Sequence, residues 1–199
     1  MNDDDARTVR KPRADGQRNR ARLLASARAV FSTAGTEASL EALARHAGVG
    51  IATLYRHFPT RESLFEAVYR HEVEQLAACA EELTLRADMK PIECLRRWLH
   101  ASVAFVATKK GMLSSLALAA PSSPDLAATS FEALTRALRL LLRRAADAGE
   151  IRGDIGPEEL LRTVFGICYM HDRPDWQDGV LRLIDVFVDG LRIPAARGG

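Results

Sequence analysis

Between Ser39 and Leu64, capping residues, two glycines and a proline follow one another so closely that only two short helices and the opening of a third fit. Ser39 can accept from an otherwise orphaned backbone N–H, and Glu41 places negative charge in the first turn. Leu40, Leu43, Ala44 and Ala47 return at helical spacing and mark a buried face. Gly48 follows at the position where a left-handed backbone is needed, and Val49 can plug the turn. Gly50 leads into a second helix, Ile51 to His57, which Pro59 stops; Thr60 can cap the next. At about 100° per residue, Leu54 and Phe58 lie with Ile51 on one side, while Ala52, Thr53, Arg56 and His57 point the other way. That second face is slim, hydrogen-bonding and basic, as a helix entering a major groove about 12 Å wide must be. The stretch reads as a helix-turn-helix.

Charge is distributed to match. The net charge is only +2, but residues 7–61 hold eleven Lys/Arg against three Asp/Glu, whereas residues 62–199 hold seventeen against twenty. Basic charge gathered on the helix-turn-helix end is the footprint of a phosphate-binding surface.

The run Thr53-Leu54-Tyr55-Arg56-His57-Phe58, with Ala44, Ala47-Gly48-Val49, Arg61-Glu62-Ser63-Leu64, and Ala27, Phe31 and Gly35 upstream, resembles the TetR family of bacterial transcriptional regulators. The resemblance is close from Arg20 to Tyr69 and rests on length and helical pattern elsewhere. It implies phosphate contacts for Tyr55, His57 and Arg61, the last often Lys in the family. Position 51, often polar or small there, is Ile51 here and offers only apolar contact, such as to a thymine methyl. The expected DNA-binding residues are therefore Ser39, Ile51, Ala52, Thr53, Tyr55, Arg56, His57 and Arg61, with Thr53 and Arg56 contributing to sequence choice.

No strand-like alternation stands out, so the expected fold is all-α. Residues 1–17 are polar and expected to be a disordered basic arm, whose Arg7, Arg10, Lys11 and Arg13 can track phosphates. Residues 18–65 are expected to form a three-helix DNA-binding domain, with the first helix from Arg18 to Ala34 ended by Gly35. Residues 66–199 are expected to form a C-terminal helical bundle for ligand binding and dimerisation. A long helix from Arg61 to about Arg86 links the two, and further helices run over Pro91–Thr108, Met112–Ala119, Asp125–Ala148, Pro157–His171 and Asp175–Leu191. Breakers separate them at Gly111, Pro121 with Pro124, Gly149 to Gly156, and Pro174, giving nine helices. The last two carry apolar faces wider than one intramolecular contact requires, and the resemblance implies that they pair with a second copy.

Trp98, Phe105, Met112, Leu116, Phe131, Leu134, Phe165 and Tyr169 are candidates to line an apolar pocket for a small, lipophilic effector. The five histidines show no HxxxH or GxSxG pattern, so neither an enzyme nor a cofactor is expected. Cys79, Cys94 and Cys168 are odd in number and widely spaced, which argues against a disulfide framework. An alternative reading has Cys94, Cys168, His100 and His171 meeting as a metal or redox sensor. With no apolar run of membrane-spanning length and a charged start, the expected setting is the cytoplasm, and the expected partners are double-stranded operator DNA, a second copy and the effector.

Overall fold

The computed structural model describes residues 10–33, 39–116, 123–170 and 175–193. These form eight helices: α1 (Arg10–Thr33), α2 (Leu40–Ala47), α3 (Ile51–His57), α4 (Arg61–Thr84), α5 (Pro91–Ser115), α6 (Pro124–Asp147), α7 (Pro157–Tyr169) and α8 (Trp176–Gly190). Among the described residues there is no strand, only one antiparallel bridge between Ile151 and Arg192.

Two elements differ from the sequence expectation. Gly111 does not break the chain: the segments expected at Pro91–Thr108 and Met112–Ala119 are a single helix, α5, running through it. A glycine inside a helix costs only about 1 kcal/mol relative to alanine, which packing can outweigh. Helix α1 opens at Arg10 rather than Arg18, so residues 10–17 of the expected arm are helical. Adding residues to an existing helix needs no new nucleus, and the polar composition there does not prevent it. Arg7, Gly35, Pro121, His171 and Pro174 lie outside the described residues.

The described residues fall into two compact units. The first takes in those up to His71 together with those from Thr108 to Leu116. Its core is drawn from the apolar stripe of α1 (Leu23, Ala27, Phe31), from Leu43 and Ala47 of α2, Leu54 of α3, and Leu64, Phe65 and Val68 of α4, all buried. Phe65 and Tyr69, one turn apart, stack with ring centroids 5.7 Å apart.

The second unit takes in Glu72–Ala107 and the described residues from Ser123 onward. Trp98 is fully buried at its centre, and its indole N–H donates to the Leu76 carbonyl at 2.8 Å, which removes the cost of burying that group. Helix ends are closed by side chains from far along the chain. The Glu150 carboxylate accepts from the Ile92 N–H at 2.8 Å at the start of α5, and Arg144 donates to the carbonyls of Leu83 and Arg86 at the end of α4. Ser123 caps α6, whose first residue is Pro124, the position where a missing N–H costs nothing. An ion network ties α5 to α8. Arg96 reaches Asp185 at 2.8 Å, Asp189 at 2.6 Å and Glu93 at 3.2 Å, and Arg192 reaches Glu93 at 3.3 Å. Hydrogen bonding from Arg96 holds the Asp185 carboxyl below the usual carboxylate range.

Candidate DNA-binding site

The turn between α2 and α3 is built as its residues dictate. The Ser39 hydroxyl accepts from the Ala42 N–H at 3.0 Å, capping α2 at its N-terminus. At the other end Gly48 adopts φ +64°, and its N–H together with that of Val49 satisfies carbonyls of the last turn. After Phe58 the corner into α4 is fixed by a reciprocal pair: Thr60 N–H donates to Ser63 Oγ at 3.1 Å, and Ser63 N–H to Thr60 Oγ1 at 3.0 Å.

Leu54 and Phe58 are 1% and 2% exposed and fasten α3 to the first unit. The opposite side presents Ile51, Ala52, Tyr55 and Arg56 to solvent, with Thr53 and His57 half-buried at its margins. Ile51 is thus a correction to its expected place beside Leu54 and Phe58: it is 37% exposed, because it stands on the first turn where no neighbouring helix covers it. Its exposure makes it available for the apolar base contact instead. Tyr55, 47% exposed, stands one turn beyond Ile51 on the same face, and Arg56 one turn beyond Ala52. Ser39, half-buried, is committed to its cap, and Arg61 is exposed at the first position of α4, where it donates to the Leu116 carbonyl at 3.3 Å.

Two arginines of α1 join this surface without any signal in the spacing of the sequence. Arg22 donates to the Gly48 carbonyl at 3.3 Å, strapping α1 to the turn. The Arg20 guanidinium lies over the Phe58 ring, 5.4 Å from its centroid, behind the end of α3. The first unit therefore offers a short helix, rigidly held from behind, with a small, apolar and basic outer face and further arginines along its flank. Such a face suits base edges and phosphates in a major groove.

The residues expected to line a pocket are distributed differently. Met112 and Leu116 belong to the first unit and are buried there, whereas Trp98, Phe105, Phe131, Leu134, Phe165 and Tyr169 belong to the second. Phe105 and Phe165 meet with centroids 6.0 Å apart, Phe131 carries the Arg162 guanidinium 4.6 Å above its ring, and Tyr169 is 42% exposed. Two clefts of the second unit, of about 410 and 390 Å³, are lined by other residues: Arg139, Arg143 and Ile151 in one, Ala77, Glu81 and Ala137 in the other. Cys94 and Cys168 are buried and in no disulfide, and His100 contacts Asp185 at 2.8 Å; among the described residues no group of three or more His, Cys, Asp or Glu is placed to hold a metal ion. No helix among them is long and apolar enough to cross a membrane.

Comparison with known proteins agrees with this geometry. The sequence pattern of bacterial regulatory proteins of the tetR family matches residues 23–68, and that of the C-terminal domain of SbtR-like transcriptional regulators matches residues 90–193. The crystal structure of the TetR transcriptional regulator SCO0520 from Streptomyces coelicolor is 41% identical, covers 88% of this chain and 99% of its own, and superposes with a TM-score of 0.75. A TetR transcription regulatory protein from Mycobacterium vanbaalenii is 30% identical, covering 92% and 99%, with a TM-score of 0.69. The HTH-type transcriptional regulator LuxR of Vibrio harveyi is 26% identical over 76% of this chain and 77% of its own. With the helix-turn-helix built as its residues require and both portions of the chain matched, this protein belongs to the TetR family of DNA-binding transcriptional regulators and is not an enzyme.

Proposed function

We propose that the protein is a cytoplasmic homodimeric repressor that occupies a roughly palindromic operator and is released by a small, lipophilic effector. The observation that carries the DNA-binding half is the exposed face of α3; in this reading Thr53 and Arg56 read bases, while Tyr55, His57 and, from the start of α4, Arg61 hold phosphates. A helix of seven residues makes few contacts alone, so affinity calls for two copies on half-sites about 34–36 Å apart. The dimer reading is supported by apolar side chains left exposed on the last two helices: Tyr169 at the end of α7, with Met170 after it, and Leu183 and Val186 on α8, exposed by 42, 83, 47 and 70%.

The effector reading is supported by the apolar side chains of the second unit, with the half-exposed Phe131 and Phe165 as the most accessible of its aromatic candidates besides Tyr169. Helices α4 and α5 each contribute residues to both units, and are therefore the proposed carriers of the signal. A coupling of about 1–3 kcal/mol changes operator affinity roughly 5- to 150-fold, and the operator must weaken effector binding by the same factor.

Footprinting and sedimentation with operator DNA test the first half. Two protected half-sites and a dimer at micromolar concentration are expected, and a monomer binding one half-site as tightly as two would refute it. For the second half, an effector is titrated with and without operator; equal affinities would exclude ligand-controlled release.

A further inference from the structure

Gly111 lies within α5, and a Cβ placed on it would stand 1.8 Å from the Phe31 carbonyl oxygen and 2.8 Å from the carbonyl carbon. Both are backbone atoms and cannot swing aside. Phe31 is among the last four residues of α1, whose carbonyls have no partner inside the helix and face outward. The backbone of α5 is therefore seated directly on the end of α1 at a depth only glycine permits.

From this seat α5 continues to a last turn, closed by the Leu116 N–H donating to the Met112 carbonyl at 2.9 Å. Met112 and Leu116 are 1% and 2% exposed, and the Lys109 ammonium lies 5.3 Å above the Tyr69 ring. At the end of that turn the Leu116 carbonyl accepts from Arg61 Nη1. This uses one of the five N–H donors of the guanidinium and tethers that nitrogen, leaving others to face a phosphate.

We infer that Gly111 and the Leu116 carbonyl are positioning elements for DNA binding: the seat on α1 sets the depth of the last turns of α5, and those turns aim Arg61. The inference rests on the proposed role of Arg61 as a phosphate ligand.

A double-mutant cycle in the full chain tests it, with operator affinity and its salt dependence read for Gly111→Ala, Arg61→Gln and the double variant. Arg61→Gln lowers affinity about tenfold and the salt slope by about one per half-site. Gly111→Ala lowers affinity by a similar factor in the native background and by less than about twofold once Arg61 is replaced, since its effect passes through that side chain. Equal losses in both backgrounds, or no loss in either, overturn the positioning role while leaving the phosphate role standing. If Arg61→Gln alone changes neither affinity nor slope, the phosphate role falls and the inference with it. Should Gly111→Ala not fold, amide exchange in the Arg61→Gln chain decides: faster exchange across residues 112–116 is expected, and unchanged exchange overturns the inference.

Discussion

Replacing Gly48 by alanine separates two costs that meet at the turn before the recognition helix. The residue sits at φ +64°, ψ 39°, where an L side chain costs about 1–2 kcal/mol of backbone strain. The new Cβ would also stand 2.4 Å from Arg22 Nη2. That atom is the far end of a flexible side chain, so it moves away cheaply, but the 3.3 Å bond to the Gly48 carbonyl goes with it, a loss of about 0.5–1 kcal/mol at an exposed site. The sum is about 1.5–3 kcal/mol, a shift of roughly 10- to 150-fold in the population of an unravelled turn. Urea denaturation combined with amide exchange across residues 48–58 measures it in Gly48→Ala, Arg22→Ala and the double variant. The strain is independent of Arg22, so Gly48→Ala should still cost about 1–2 kcal/mol when Arg22 is already alanine. If the cost vanishes in that background, the left-handed backbone is not what glycine supplies here, and the reasoning fails.

Arg56→Ala should weaken the operator and relax base preference at one position per half-site by about 1–3 kcal/mol, read by competition among single-base operator variants; equal loss on every sequence would reassign Arg56 to the phosphates. Val186→Glu, at a side chain 70% exposed, should yield a monomer in sedimentation with its helix content retained. A persistent dimer would move the interface elsewhere. Arg96→Met should flatten the acid limb of stability. The Asp185 carboxyl is lowered from 3.8 by hydrogen bonding to Arg96, so its contribution is present above that value and is lost as pH falls through the lower, folded-state value. Urea midpoints between pH 5 and 3 should therefore fall more steeply in the native chain than in the variant.

The helix-turn-helix was legible because its determinants are local. Ser39, Gly48, Pro59 and Thr60 act on neighbours within a few residues, and Leu54 and Phe58 share a face by helical geometry alone. Ile51 was misplaced because a face defined by angle says nothing of where the covering helix ends. Gly111 was misread for a related reason: local propensity treats glycine as a break, whereas here its missing side chain serves a neighbour eighty residues upstream in the chain. Arg22 on Gly48, Arg61 on Leu116 and Arg144 on Leu83 are likewise invisible to spacing, since each joins residues 26 to 61 positions apart. The aromatic candidates of the second unit illustrate a harder limit. Residues that fill a core and residues that line a pocket obey the same apolar periodicity, and only the structure distinguishes Trp98, sealed by its bond to Leu76, from Tyr169 at the surface.

The ion network on α5 also sets a timetable for synthesis. Glu93 and Arg96 are translated early, but Asp185, Asp189 and Arg192, which complete the network, lie 89 to 99 residues later. At about 5–20 residues per second, the early half waits roughly 5 to 20 s for its partners to be made, and longer for them to clear the ribosome. The Glu150 cap on the start of α5 comes sooner, 58 residues after Ile92. The second unit is therefore obliged to close late, with its apolar faces open to chaperones meanwhile, whereas α2 and α3 lie adjacent in the chain and need no such delay to meet.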